Sequence, residues 1–205
     1  MVNGEGGHRQ TKAERSAGTR NALIVAATRL FAAKGYAGAG REEIVAAAGV
    51  TRGALYHHFA DKADLFRAVF EAMEERVVTD VAEAAMVTDD PVEQLRLGCR
   101  AYLDAARDPG VRRICIIDAP VVLDETVRRE IATNNALGMV REALAAAVAS
   151  GRLREQPVDA LAHVLLATLM AAAQYVATAD DPDQARRDAG TTIDNLLAGL
   201  IANPP

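Results

Sequence analysis

Polar chemistry gathers in one short stretch of this alanine-rich chain, Thr51-Arg52-Gly53-Ala54-Leu55-Tyr56-His57. Arg52 can donate to a guanine edge or to phosphate oxygens. The hydroxyls of Thr51 and Tyr56 suit phosphate, and Gly53 lets a backbone come close. Ala54 and His57 share the outward face. Lys62 adds a cation to the free N–H groups of a helix start, a ready phosphate site. Arg41 opens the preceding short helix and is a further candidate. The chemistry this set can do is anion binding and base-edge readout, without bond making. His57 and His58 invite a metal reading, but neighbouring helical side chains point about 100° apart and no Cys or carboxylate sits at ligand spacing. No metal and no cofactor are expected. His57 is expected to face outward and His58 to pack on the first helix. No Ser/His/Asp set, Cys/His set or Gly-rich phosphate loop appears, so no enzyme is expected.

Elements that could hold these residues follow from periodicity and caps. Leu23, Ala26, Ala27, Leu30 and Phe31 mark one face of a helix, with Thr19 as its expected N-cap and Gly35 as its stop. A loop over Tyr36 to Gly40 is expected next. A short helix from about Arg41 to Ala48 carries Glu42 and Glu43 in its first turn, where the helix dipole favours acids, and Gly49 suits the left-handed turn that ends it. Thr51 then caps a helix with Leu55 and Phe59 inward. Asp61, with Asp64 three residues on, caps a fourth helix striped by Leu65, Val69, Met73 and Val77 and running to about Val87. Two short helices about a Gly-centred turn, after a longer one, are the helix-turn-helix plan, whose second helix enters the major groove of DNA.

Charge distribution agrees with that plan. The chain carries a net −5, which alone disfavours a polyanionic partner. Yet residues 1–62 hold nine Lys/Arg against five Asp/Glu, and the remainder fourteen against twenty-three. The basic end is therefore the one that can face nucleic acid. Residues 1–18 are polar and Gly-rich and are expected to form a flexible arm, in which Arg9, Lys12 and Arg15, together with Arg20 beyond it, are either solvated or reach a groove. The two cysteines, Cys99 and Cys115, lack CxxC spacing, and with no secretory leader they read as reduced thiols in a cytoplasm. No apolar run is read as long enough to span a membrane.

The stretch LFAAKGYAGAGREEIVAAAGVTRGALYHHFADKADLFRAVF, Leu30 to Phe70, resembles the DNA-binding domain of the tetracycline-repressor (TetR) family in its ordered motifs LF…KGY, EEI…AAGV and GALYHHF…DK…LF. It departs from that pattern at Gly40, where the family commonly caps with Ser or Thr, and at Arg41, where a small apolar residue is usual. Arg41 is expected to take over the phosphate contact. The resemblance implies an all-α fold of about nine helices. Residues 19–63 would be a three-helix helix-turn-helix domain, and residues 64–205 a helical effector-binding and dimerisation domain. It implies a repressor that binds a near-palindromic double-stranded operator as a dimer and is released by a small effector. A constitutive DNA-binding regulator without an effector is the alternative.

Beyond residue 90 the pattern stays helical. Helices are expected from Pro91 to near Asp108, from Val111 to about Asp118 (halted by Pro120), from about Asp124 to Ser150, from Pro157, and from about Pro182 to Ala202. The last two are apolar over more than one stripe and by resemblance would pair with a second subunit. The resemblance also implies an inducer cavity, with Leu95, Cys99, Tyr102, Cys115 and Asn134 as candidates, joined by Met139, Met170, Gln174 and Tyr175. Most would equally pass as core. Aromatics are only 4% of the chain, so aliphatic walls and a mostly apolar ligand are expected. His163, on a mostly apolar helix, is expected to be a satisfied structural histidine.

Overall fold

A computed structural model describes residues 11–202. They are helical, in the order α1 (Lys12–Gly38), α2 (Arg41–Ala48), α3 (Arg52–His58), α4 (Lys62–Ala85), α5 (Pro91–Ala105), α6 (Pro109–Val111), a π-helical stretch (Arg112–Asp118), α7 (Ala119–Val122), α8 (Glu125–Ala149), α9 (Val158–Thr178) and α10 (Pro182–Ala198). With the run 109–122 taken as one, the described residues form the nine helices expected. Their only extended pairing is one antiparallel bridge, Leu153 with Ile201. Packing divides the chain into two units, one ending at Val69 and the other beginning at Phe70.

In the first unit α1 begins at Lys12, not Thr19. Thr11 and Glu14 form a capping box: the Thr11 N–H donates to Glu14 Oε2 at 2.7 Å and the Glu14 N–H to Thr11 Oγ1 at 3.2 Å. Thr19 lies inside the helix, its hydroxyl donating to the Arg15 carbonyl at 3.0 Å. The C-terminal part of the expected arm is thus helix, while residues 1–10, with Arg9, lie outside the described residues. Gly35 does break α1 (φ 72°, ψ 170°), but the chain then makes another helical turn to Gly38 where a loop was expected. The core is Leu23, Ala27, Phe31, Ile44, Leu55, Phe59, Leu65 and Phe66, with Leu30 half-buried. Phe31, Tyr36 and Phe66 meet with ring centroids 5.2–5.8 Å apart. That aromatic cluster ties the first turns of α4 to this unit, which moves the boundary beyond the expected residue 63.

In the second unit α8 and α9 pack on α5, and α10 closes over α5 and α9. Asp90 and Asp124 cap α5 and α8 as their side chains accept N–H groups at 2.9–3.0 Å. α10 lies along α5 through Arg100–Asp194 at 2.6 Å and the two-pronged Arg186–Asp104 contact at 2.7 and 2.8 Å. Pro120 does not halt its helix. It stands at the first turn of α7, where no N–H is needed, directly after the wide π turn.

α9 is long and apolar enough to cross a membrane by length and composition, correcting the expectation of no such run. Residues 160–179 hold no Asp, Glu, Lys or Arg. Here α9 behaves as a core helix, burying Leu165, Leu166, Leu169, Ala173 and Val176. Its other side keeps Val164 (63% exposed) and Tyr175 (54%) in the open. α10 is less apolar than expected. Beyond its buried row Ala185, Ala189, Ile193, Leu197, only Leu196 adds a large exposed hydrophobic on the helix.

Candidate nucleic-acid interface and ligand cleft

The turn between α2 and α3 sets how α3 is presented. Gly49 is left-handed (φ 66°, ψ 28°), and its N–H and that of Val50 close onto the last carbonyls of α2. Thr51 Oγ1 accepts the Ala54 N–H at 3.2 Å, capping α3, which leaves the hydroxyl proton free to donate outward. Leu55 and Phe59 are buried to 3% and 2% exposure, so Arg52, Gly53, Tyr56 and His57 must face solvent, with Ala54 at the margin. His58 is half-buried. Desolvation, with His57 and Arg20 nearby, lowers its pKa, as expected for a ring packed toward α1. The guanidinium of Arg20 lies 5.3 Å from the Phe59 ring centroid, so this cation braces α3. The His57 and His58 rings sit edge to face at 5.1 Å.

Arg41 and Arg52 flank the Tyr56 ring, their guanidinium carbons 5.8 and 5.7 Å from its centroid. Arg52 is hydrogen-bonded to Tyr56 and paired with Glu42 at 3.1 Å, and both raise its pKa, the Tyr56 bond most. Gly40 offers α2 no side-chain cap, leaving the neighbouring cation Arg41 to supply side-chain chemistry there. The α4 start is capped by Asp61, which accepts the Asp64 N–H at 2.8 Å, while Asp64 accepts the Ala60 N–H at 3.0 Å. Lys62 Nζ stands 4.5 Å above the Tyr36 ring, its pKa lowered by desolvation and by Arg41. Tyr36, Gly40, Arg41, Asp61 and Lys62 together line a small cleft. The structure thus brings Arg41, Arg52, Tyr56 and Lys62 together, with Thr51, Gly53 and His57 exposed alongside on α3 and its cap. Sequence reasoning missed two members, Tyr36 and Glu42. Tyr36 was signalled by the KGY run, and Glu42 only by being an acid one turn from the cationic surface.

The second unit contains a cleft of about 820 Å³ between α4, α5, α8 and α9. Phe70, Val77, Leu166 and Ala173 form apolar wall. Glu74, Tyr102 and Cys115 supply the recessed polar groups, and Glu125, Arg128, Arg129, His163 and Gln174 the remaining ones. A second hollow of about 300 Å³ is almost wholly apolar, lined by Val78, Val81, Leu95, Cys99, Met139 and Leu169 among others. Tyr102 and Leu166 line both. Of the expected effector residues, Tyr102, Cys115, Met170 and Gln174 line the larger space and Leu95, Cys99 and Met139 the smaller. Asn134 and Tyr175 line neither and are exposed. Each follows by one residue a side chain that does line the cleft, Thr133 or Gln174, and one step turns a helix by about 100°. His163 is exposed at the cleft, one ring nitrogen 2.8 Å from the Asp159 carbonyl oxygen.

Burial governs the acid–base state of this site. It raises the Glu74 carboxyl, although the bond from the Cys115 thiol opposes the shift. Burial also pushes Cys99 up to about 12, with Asp194 adding to it. Tyr102 and Cys115 rise well above their ordinary values by desolvation first and the Glu74 charge second. Both thiols are therefore protonated and weak as nucleophiles. Sequence reasoning missed Glu74, whose signal was an acid at helical spacing within the apolar series Phe70, Val77, Val81. Among the described residues no group of three His, Cys, Asp or Glu is arranged to hold a metal ion.

The signature of bacterial regulatory proteins of the tetR family matches residues 23–69, and that of a tetracyclin repressor-like C-terminal domain matches residues 92–200. The transcriptional repressor AcnR of Corynebacterium efficiens is 31% identical over 160 residues, 74% of this chain and 78% of AcnR. The transcriptional activator FasR of Mycolicibacterium smegmatis is 36% identical over 85 residues, a match that spans only 39% of FasR. A crystal structure of a TetR-family regulator from Pectobacterium atrosepticum superposes with a TM-score of 0.83 at 29% identity, covering 96% of this chain and all of that one. These matches extend over both the cationic helix-turn-helix unit and the cleft-bearing helical unit, and the chain belongs to the TetR family of bacterial transcriptional regulators.

Proposed function

We propose that this regulator is a ligand-released repressor that binds a near-palindromic operator as a homodimer. The observation that carries the reading is the cationic face of the first unit: Arg41, Arg52 and Lys62 surround Tyr56 and Tyr36 on a capped helix whose inward side is fully buried. In the proposed complex α3 enters the major groove. Arg52, Gly53, Ala54 and His57 meet base edges, and Arg41, Thr51, Tyr56 and Lys62 grip phosphates. Similarity to the repressor AcnR supports repression rather than activation. In this reading the protein acts by binding, without turnover.

Dimerisation is proposed through α9 and α10, supported by the exposed Val164 and Tyr175 of α9 and Leu196 of α10. A two-fold dimer would set two α3 helices about 34–36 Å apart, one helical turn of DNA. The effector is proposed to occupy the cleft and to prefer a dimer whose recognition helices are wrongly spaced, shifting the population by that preference alone. α4 spans Lys62 and the cleft residues Phe70, Glu74 and Val77 in one continuous helix.

Fluorescence anisotropy with the DNA upstream of the protein's own gene tests the core of this reading. The triple variant Arg52→Ala, Tyr56→Phe, Lys62→Ala should retain its helical circular dichroism and lose operator binding. Intact binding by that folded variant sinks the interface. A Val164→Glu, Leu196→Glu variant should sediment as a monomer and bind DNA weakly.

A further inference from the structure

The cleft of the second unit has an uneven chemistry that goes beyond the presence of a ligand site. Its recessed acid, Glu74, lies beside the Cys115 thiol, and no Lys or Arg is paired with it among the described residues. Arg76, whose charge reaches the Cys115 thiol, is turned to Asp108 at 3.7 Å. Tyr102 lies close enough for its hydroxyl to feel the Glu74 charge. A carboxylate withdrawn from water without a cation is costly, and a ligand that brings the cation relieves that cost. The adjoining hollow of about 300 Å³ offers the opposite chemistry, aliphatic side chains of Val78, Val81, Leu95, Met139 and Leu169. Tyr102 and Leu166 belong to both walls, so the two spaces adjoin at these side chains.

We propose that the cleft takes an amphiphilic amine, its ammonium head against the Glu74 carboxylate beside the Tyr102 ring and its aliphatic tail in the hollow between α4, α5, α8 and α9. The inference rests on the reading of this cleft as the effector site. The opposite assignment, an anionic head, would need Arg128 or Arg129. Arg129 is already engaged with Glu125 at 2.5 Å, in a pair whose side chains are both 70% exposed. Arg128 has a buried Nε without a hydrogen-bond partner, and it is the anchor an anion would use. Glu74 is favoured because Tyr102, which feels its charge, also lines the apolar hollow, so that head and tail are served together.

Three probes with one tail separate these chemistries: decylamine, 1-decanol and decanoate. They are titrated calorimetrically at neutral pH, below their aggregation limits, into the full-length protein and its Glu74→Gln variant. Decylamine, charged like a lysine side chain at that pH, should bind the wild type about tenfold or more tighter than 1-decanol. Glu74→Gln should erase that preference while leaving 1-decanol affinity within about twofold, the neutral amide removing the charge at nearly constant volume. Octyl-, decyl- and dodecylamine should tighten roughly severalfold per added methylene until the hollow is full. Decanoate binding tightest, or a Glu74→Gln variant that still prefers the amine, overturns the amine assignment and leaves the cleft as a ligand site. Absence of saturable binding by all three probes overturns the effector-site reading itself.

Discussion

Two glycines of the DNA-binding unit have nearly the same φ and very different ψ, and their replacement should separate two kinds of backbone strain. Gly49 sits at φ 66°, ψ 28°, inside the left-handed helical basin, and a Cβ built there meets no atom within 4 Å. Alanine at 49 therefore carries only the intrinsic penalty of that basin for an L-residue, about 1–2 kcal/mol. Asparagine, which tolerates the basin, should cost several tenths of a kcal/mol less. Gly35 sits at φ 72°, ψ 170°, a region open essentially to glycine alone. It is buried between Lys34 and Tyr36, next to the aromatic cluster of Phe31, Tyr36 and Phe66. Alanine at 35 should reach or exceed about 3 kcal/mol, and asparagine should give no rescue. Thermal melts of Gly49→Ala, Gly49→Asn, Gly35→Ala and Gly35→Asn in the full-length protein read this directly. About 1 kcal/mol corresponds to roughly 2–4 °C in a chain of this size, so Gly49→Ala should lower Tm by a few degrees and Gly35→Ala by several more. Equal losses at the two sites, or an asparagine rescue at 35 but not at 49, would refute the assignment of strain to ψ.

Further outcomes follow from the same geometry. Glu42→Gln removes an acid that holds Arg52 at 3.1 Å on the proposed DNA-binding face. It should tighten DNA binding severalfold while barely moving Tm, because exposed ion pairs contribute only about 0–1 kcal/mol. Lys62→Ala should weaken binding to all sequences alike and reduce the slope of log affinity against log salt by about 0.9, one phosphate contact, in anisotropy titrations. Leu144→Ala empties a fully buried position of α8 and should cost about 2–5 kcal/mol by denaturant unfolding. Glu74→Gln should stabilise the ligand-free protein near neutral pH. The Glu74 carboxyl is raised in the folded state by burial, so the native form binds the extra proton. Wild-type stability then gains as pH falls through the raised pKa toward the ordinary carboxylate range. The Tm advantage of the variant should be clear at about pH 8 and shrink toward about pH 4.5, and an advantage that grew on acidification would contradict the sign of the shift.

Much of the DNA-binding unit was legible because its determinants are local. Caps at Thr51 and Asp61, a glycine at the α2–α3 turn, and the inward pair Leu55 and Phe59 each act within one or two helical turns. Where the reading failed here, the signal was local but weighed wrongly: Thr11 and Glu14 form a capping box inside a polar, Gly-rich stretch read as an arm. Pro120 reads as a stop in the sequence because the preceding π turn, which lets a proline begin the next segment, has no sequence signature comparable to a cap.

The cleft was legible only by composition, and its residue list was mixed. Tyr102, Cys115 and Gln174 line it, whereas Asn134 and Tyr175 look outward, and Glu74 was overlooked. Helical periodicity identifies a stripe, but a long helix packed on several neighbours has more than one inward-facing edge. A rotation of one residue then separates a wall from solvent.

The sequence by itself determined most of the helices, their order, the cationic helix-turn-helix unit and the family, since these depend on hydrogen bonds, caps and apolar spacing between residues near one another in the chain. Only the tertiary structure decided that Glu74 of α4, Tyr102 of α5 and Cys115 of the π turn share one hollow with no cation paired to the acid, and which face of α9 remains uncovered. Those relations are distances between segments far apart in sequence, set by how large side chains fill space between helices, and no local pattern encodes them.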